Sequence, residues 1–177
     1  MSDETALRRM GNGWRGEGRS AMQRADEAGK RAEYLAFSLG GEAYAIEIGN
    51  IVEILKPLPI TEVPRADPDV VGVMSVRGRL VAVLDLKRRF KLAARAPESL
   101  RKKNRILLVD AIDEEIGLLV DEVLQVYRLT DAEIEPPTVL GSEQAPHVVG
   151  IGRPGSATGN TQGPVLMLID LAPIFAA

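Results

Sequence analysis

The chain of 177 residues has few side chains that could carry out catalysis. It contains no cysteine and one histidine, His147, which excludes disulfides, thiol chemistry and cysteine-based zinc sites. One histidine without carboxylates at ligand spacing makes a poor metal site. Its counterpart in an internal repeat described below is Asp69, so we expect His147 in a surface loop. No serine lies in a nucleophile elbow, and no G-K-[ST] motif could hold a phosphate. The sequence therefore predicts a protein that is not an enzyme, with no catalytic, cofactor-binding or metal-binding residues.

Two aspartates, Asp85 and Asp170, begin similar segments of the form D-L-x-x-x-F. A catalytic pair of carboxylates would have to converge on one cleft, and repeat symmetry gives no reason to expect this. An aspartate before a helical turn is a good N-cap, because its carboxylate accepts hydrogen bonds from free backbone N–H groups. We predict that both aspartates cap short helical turns, while the leucine and phenylalanine of each segment close one end of a barrel.

Arg77 lies between two apolar, β-branched runs that extend from Val70 to Phe90. A glycine after it, Gly78, supplies the positive φ that a tight hairpin turn requires. Neither run alternates cleanly between apolar and polar residues, which predicts that both faces of the hairpin are covered. Glu53 is a candidate partner that would hold the guanidinium of Arg77 for an incoming polar group.

The N-terminal segment 1–32 differs in composition from the rest of the chain. It is rich in arginine and nearly free of β-branched residues, so we predict a mobile tail. Its G-x-G-x-x-G match at 11–16 follows no strand, which argues against a dinucleotide site. The formal net charge of −3 argues against a nucleic-acid partner. Without a signal peptide or a run long enough to span a bilayer, we expect a cytoplasmic protein.

The remaining sequence indicates short strands punctuated by turns. We predict strands at 34–39, 42–46 and 60–63, and a helix at 49–54 capped by Asn50, which places Ile51 and Ile54 at helical spacing. A second helical turn is predicted at 121–126. Residues 91–104 are polar and read as a connecting loop.

The second half of the chain repeats the first. Ile51 and Ile54 align with Val123 and Val126 at an offset of 72, and later segments align at offsets of 78 and 85. The growth in offset marks a seven-residue insertion within Gly152 to Gly163, which we expect to be mobile. The first repeat spans about 33–90 and the second about 105–175, which predicts a mainly β fold of two small barrels with short helices.

Three segments resemble, in this order, the CheW family of chemotaxis coupling proteins: Y-L-A-F-S-L-G-G-E-A-Y-A-I-E-I-G-N-I-V-E-I, I-T-E-V-P and V-V-G-V-M-S-V-R-G-R-L-V-A-V-L-D-L. The resemblance covers residues 34 to about 175. It implies two tandem five-stranded SH3-like β-barrels that share a groove, without enzymatic activity. It further implies an adaptor between the cytoplasmic tip of chemoreceptors and the regulatory domain of the histidine kinase CheA, at receptor arrays on the inner face of the membrane.

The resemblance also implies site residues, and these agree with a groove that accepts a helical segment. For the receptor the resemblance implies Glu53 and Arg77, and the physical argument for a groove adds Ile51, Ile54, Val123 and Val126. For the kinase they are Ile60, Thr61, Gly72 and Gly78. The helical spacing of the four aliphatic residues equally predicts a place in the core, and we expect at least half of them to be there. Two alternatives remain: a relative that binds a receptor without a kinase or serves a gliding or other non-flagellar pathway, and a small-molecule binder that uses the groove.

Overall fold

The computed structural model describes residues 31–92, 98–140 and 145–176, and about half of these residues lie in strands. The strands are β1 (Ala32–Leu39), β2 (Glu42–Glu47), β3 (Ile51–Leu55), β4 (Val70–Val76), β5 (Arg79–Asp85), β6 (Arg105–Ala111), β7 (Glu114–Val120), β8 (Glu122–Leu129), β9 (Ile134–Glu135), β10 (Val148–Gly152) and β11 (Leu166–Ile169). The helices are α1 (Leu86–Arg89) and α2 (Ala172–Phe175), with 3-10 turns at Ile48–Asn50, Glu98–Lys103, Asp131–Glu133, Pro137–Leu140 and Ser156–Thr158.

The strands form two sheets, as the prediction of a mainly β fold requires. One sheet has six strands in the order β8-β1-β2-β11-β10-β9, and the other has five in the order β3-β6-β7-β5-β4. The sixth strand, β9, contains two residues. Of the predicted tail 1–32, all but the last two residues lie outside the described part of the chain, and β1 begins at Ala32.

The two sequence repeats exchange their first hairpins. Strand β2 of the first repeat pairs in parallel with β11 of the second, and β7 of the second repeat pairs in parallel with β5 of the first. The pairs Tyr44–Met167 and Ile116–Ala82 are equivalent under the sequence offsets of 72 and 85. Each sheet therefore contains strands of both repeats. The boundary between the repeats in the sequence is not a boundary between the sheets.

The exchange produces a core that both repeats share. The central cluster contains residues of both hairpins and both helices, among them Phe37, Leu86, Leu107 and Leu118, all fully buried. Each such side chain stabilises the fold by about 1.5–3 kcal/mol through burial. Two smaller clusters lie within the five-stranded and six-stranded sheets. Because one repeat alone has too little apolar area for a sizeable core, sharing is the favourable solution.

The helix predicted at 49–54 is a strand. A 3-10 turn ends at Asn50, and β3 follows from Ile51 to Leu55. Burial along β3 alternates residue by residue, as in a strand with one exposed face. The second predicted helical turn, at 121–126, is likewise replaced by β8. A short apolar run is compatible with the period of a helix and with that of a strand. The β-branched side chains of Ile51, Val52 and Ile54 favour the extended backbone of a strand.

The hairpin of β4 and β5 has the predicted turn. Arg77 has a φ of +49° and Gly78 a φ of +81°, which is the type I′ geometry that matches strand twist. The expectation that both faces are covered was wrong. Met74 and Val83 are buried on one face, while Leu80 on the other is 76% exposed.

Asp85 is the predicted N-cap of α1. Its Oδ1 accepts hydrogen bonds from the backbone N–H groups of Lys87 (2.9 Å) and Arg88 (3.4 Å). Asp170 accepts one from Ala172 at 3.1 Å, although it lies one position before the residue that caps α2. Leu86 and Leu171 are buried beneath these turns, as expected.

The insertion between Gly152 and Gly163, which we expected to be mobile, is a loop held to the rest of the fold by hydrogen bonds. The buried carboxylate of Glu133 accepts from the N–H groups of Thr130 (3.0 Å) and Gly155 (2.9 Å). The carbonyl of Glu133 accepts from Arg153 at 2.8 Å. The hydrogen bond from the Thr130 backbone, followed by that from Gly155, lowers the pKa of Glu133 against the opposing effect of burial.

We predict that Glu133→Gln lowers the free energy of unfolding by about 1–3 kcal/mol, because an amide NH2 would face a backbone donor. The folded pKa is below the unfolded value, so the contribution of this carboxylate is complete above pH ~4.3 and disappears as the pH falls through the folded pKa. Urea unfolding should show the difference between wild type and variant at pH 7, and a smaller difference in acid.

The matched control is Glu135→Gln, which removes an exposed ion pair with Arg153 (3.0 Å) on the same loop. It should change stability by no more than about 1 kcal/mol. Equal losses for both variants would show that Glu133 does not anchor the insertion.

Candidate protein-interaction surface

Glu53 and Arg77 form a two-pronged ion pair across the five-stranded sheet. The Arg77 Nη2–Glu53 Oε1 distance is 2.9 Å and the Nη1–Oε2 distance is 2.8 Å. Glu53 lies on β3 at one edge of the sheet, and Arg77 lies at the tip of the hairpin that ends at the other edge. The predicted pairing is confirmed, and its hydrogen bond raises the pKa of Arg77. The Arg77 side chain is still 68% exposed, so its guanidinium is oriented but accessible.

The four aliphatic residues predicted for the receptor surface divide into two pairs. Ile51 and Val123 pack against the central core, as expected for half of the set. Ile54 and Val126 are each 44% exposed, on the edge strands β3 and β8. The structure thus places one pair inside the fold and presents the other to solvent.

The sequence analysis assumed helices here and therefore did not identify two further exposed apolar residues on these strands. Val52 and Leu124 are exposed beside Ile54 and Val126, and they are equivalent to each other under the offset of 72. Reading the β-branched run from Ile51 to Ile54 with the period of a strand would have placed Val52 and Ile54 on one face. Each edge strand therefore carries two exposed apolar side chains in equivalent positions.

The polar component of this surface exists in only one half of the molecule. Gln125 occupies the position equivalent to Glu53, and the insertion occupies the region equivalent to the hairpin tip. Arg153, within that insertion, pairs with Glu135 instead. The ion-paired arginine beside β3 thus distinguishes two otherwise similar edges.

The residues predicted for the kinase surface surround strand β4. The strand expected at 60–63 is reduced to one antiparallel bridge, in which Thr61 and Val73 exchange two N–H···O bonds of 2.9 Å. Ile60 packs against the core of the five-stranded sheet. Gly72 is buried directly beneath the Thr61 carbonyl, and Gly78 is exposed at the hairpin tip. Ile60, Thr61 and Gly72 are therefore close together, while Gly78 lies beside Arg77.

His147 occupies a turn, and its ring is partly buried rather than fully exposed as predicted. It stacks on Phe90 with a centroid distance of 3.7 Å and an interplanar angle of 2°, and Phe90 also contacts Tyr44 at 5.7 Å. Burial lowers the pKa of His147. The imidazole thus helps to fill the space between the repeats.

Within the described ranges, no group of three or more histidine, aspartate or glutamate side chains could hold a metal ion. The same part of the chain contains no helix that is long and apolar enough to cross a membrane.

Interlocked sheets, exposed apolar edge strands and one oriented arginine define a β module suited to contacts with other proteins. Residues 33–177 match the family model described as CheW-like domain. The chain belongs to this family, and it is therefore an adaptor of the chemotaxis type.

Relatives and a solved structure agree with this assignment. The chain is 31% identical to "Chemotaxis protein CheW" of Helicobacter pylori, over 76% of this chain and 79% of that protein. It is 33% identical to "Protein PilI" of Pseudomonas aeruginosa, over 66% of this chain and 65% of that protein. The crystal structure of scaffolding protein TtCheW from Thermoanaerobacter tengcongensis superposes with a TM-score of 0.71 at 28% identity, covering 84% and 94% of the two chains.

We predict that Gly72→Ala lowers the free energy of unfolding by about 1–3 kcal/mol. Gly72 has a φ of +154°, and a Cβ there would lie 2.2 Å from the Thr61 carbonyl oxygen. Gly49→Ala is the control, because a Cβ at Gly49 meets nothing within 4 Å. Urea unfolding of both variants tests the packing, and an unchanged midpoint for Gly72→Ala would contradict it.

Proposed function

We propose that the protein couples the cytoplasmic tip of chemoreceptors to the regulatory domain of the histidine kinase CheA, without chemistry of its own. The observations that carry this proposal are the ion pair of Glu53 and Arg77, which holds an accessible guanidinium at the hairpin tip, and the exposed apolar side chains on β3. A partner that offers an apolar side chain and a hydrogen-bond acceptor matches such a surface.

The receptor contact uses exposed apolar side chains of β3 and β8, with Arg77 as the polar anchor. Ile54 and Val126 supply apolar area, and Ile51 and Val123 support them from the core. Glu53 acts on Arg77 rather than on the partner, because both of its carboxylate oxygens already contact the guanidinium. A helical receptor hairpin fits as the partner, since it can present an apolar ridge to a groove.

The kinase contact uses the segment around Thr61. Ile60 and Thr61 line the outer side of β4, where a bridge of only one residue pair leaves most of the strand edge open to another chain. Gly72 allows this segment to approach β4 closely, and Gly78 keeps the hairpin tip narrow. In this proposal the two glycines shape the surface and Ile60 and Thr61 contact the kinase.

We expect the protein to act in the cytoplasm, at receptor arrays on the inner face of the membrane, without nucleic acid and without direct insertion in the bilayer. A second candidate function is a role in a pathway other than flagellar chemotaxis, with or without a kinase. The 33% identity to "Protein PilI" is the observation that favours this candidate. Pull-down of this protein with the receptors and kinases of its source organism distinguishes the two.

We predict that Arg77→Ala keeps the fold and lowers receptor-dependent kinase activation by about tenfold or more, as for an arginine hot spot. The melting temperature should hardly change, because water screens an exposed ion pair and leaves it with little effect on stability. A reconstituted receptor–kinase assay measures the effect. The control is Arg79→Ala, which removes the neighbouring ion pair with Glu115 (2.7 Å) and should retain coupling.

Exchanging the two charges distinguishes a role of the ion pair in the fold from a role of Arg77 in binding a partner. The double variant Glu53→Arg/Arg77→Glu can restore an ion pair, and its melting temperature should stay close to that of wild type. Coupling should remain impaired, because the cation is no longer at the hairpin tip. Full recovery of kinase activation by the double variant would show that the pair acts through the fold alone and that Arg77 contacts no partner.

A further inference from the structure

A cleft of about 400 Å³ opens between the two repeats, away from the Glu53–Arg77 pair. Its apolar walls include Val70, Leu84 and Ile116 from the five-stranded sheet, and Ile174 and Phe175 from α2. Ile112 in the turn between β6 and β7 stands at the rim with 94% of its surface exposed. The volume is in the range of ligand sites, and the exposed isoleucine marks a rim that an apolar group could cover.

The equivalent space in the other half of the molecule is filled by aromatic rings. There His147 stacks on Phe90, Phe90 contacts Tyr44 at a tilt of 33°, and Tyr44 stacks on Phe37. Tyr44 is equivalent to Ile116 at the offset of 72, and His147 is equivalent to Asp69 at the offset of 78. Phe90 is equivalent to Phe175 at the offset of 85.

The alignment of the two sites is supported by equivalent backbone bonds. Asp85 donates its N–H to the carbonyl of Asp69 (2.8 Å), and Asp170 donates its N–H to the carbonyl of His147 (2.9 Å). The cleft therefore lies where two of three aromatic rings have been replaced by an isoleucine and an aspartate. One ring, Phe175, remains as a wall on which another could stack.

The rim of the cleft is acidic. The carboxylates of Asp67, Asp113 and Glu114 are exposed, and none has an ion pair or side-chain hydrogen bond among the described residues. Asp69 is neutralised by Arg89 at 3.1 Å, and Arg89 also donates to the carbonyl of Ile174 at 2.5 Å. An occupant with an aromatic side chain and cationic neighbours is complementary to this combination.

We propose that the occupant is the chain's own segment 8–19, with the ring of Trp14 in the cleft and its arginines at the acidic rim. Trp14 is the only tryptophan, and the segment carries four arginines against one glutamate. This occupant modifies the expectation of a wholly mobile tail, because part of the tail docks reversibly. The proposal does not depend on the partners of the Glu53–Arg77 surface.

The length of the connecting chain permits this docking. Residues 15–31, a stretch of 17 residues, separate Trp14 from the start of β1. A flexible chain of this length has a root-mean-square span of about 23 Å and a maximum of about 58 Å. The start of β1 pairs with the end of β2, which runs parallel to β11, so the tail leaves at the same end of the sheet as α2. Tethering raises the local concentration of the segment to about the millimolar range.

The experiment is tryptophan fluorescence of the full-length protein, with a peptide of residues 1–30 as the reference. We expect emission at shorter wavelength and weaker quenching by acrylamide than in the peptide. Glu114→Lys should shift the docking equilibrium toward the free tail by about fivefold, the effect of a lost exposed ion pair. Glu42→Lys makes the same charge change at the equivalent exposed position and should leave Trp14 shielded. Peptide-like quenching in wild type, or equal effects of both variants, would overturn the proposal.

A second measurement locates the ring. Because the chain has no cysteine, Asp113→Cys can be labelled with a nitroxide, which should quench Trp14 strongly. The same label on Glu42→Cys should quench it weakly. Equal quenching from both positions contradicts docking in the cleft. Shielding that disappears on dilution would identify the tail of a second copy as the occupant and would also overturn the intramolecular proposal.

Discussion

The parallel pairing of each repeat's hairpin with the last strand of the other repeat is the constraint on which this structure depends. Strand β2 joins β11, and β7 joins β5, so neither repeat can complete a sheet alone. The fully buried residues Phe37, Leu107 and Leu118 consequently meet in one central core. A small repeat buries too little apolar surface to fold independently, and reciprocal exchange gives both repeats one shared core. The same exchange leaves β3 and β8 as equivalent edge strands, with apolar side chains exposed.

Substitutions and one insertion then make the two halves different. The first half has Glu53 paired with Arg77, where the second has Gln125 and the loop that Glu133 anchors. The first half fills its inter-repeat space with stacked aromatic rings, where the second leaves an acidic cleft. An adaptor needs such asymmetry, because partners of different chemistry must recognise different surfaces. The duplicated framework supplies rigid support, and the departures from symmetry supply specificity.

Local rules of sequence predicted much of the fold. The β4–β5 hairpin followed from apolar runs around Arg77-Gly78, and the capping role of Asp85 followed from its place before Leu86. The offsets between repeats correspond to equivalent strand pairings, and Glu53 does bind Arg77. Where a few neighbouring residues specify one backbone geometry, or two charges have few competing partners, the prediction was correct. The assignment of β3 and β8 as helices failed because a short apolar run fits both periods, and pairing with β6 and β1 decides between them.

The sequence by itself thus determined the strand-rich class, the duplication, the hairpin turn and the partner of Arg77, since each depends on nearby residues or on a repeated pattern. Only the tertiary structure decided which hairpin joins which sheet, that His147 stacks on Phe90, and that Ile116 and Asp69 leave a cleft. It also decided that Ile51 faces the core while Ile54 faces solvent. These features depend on pairs of residues far apart in the chain. Their proximity results from competition among sheet pairings for the same apolar surface, and no local preference encodes the outcome of that competition.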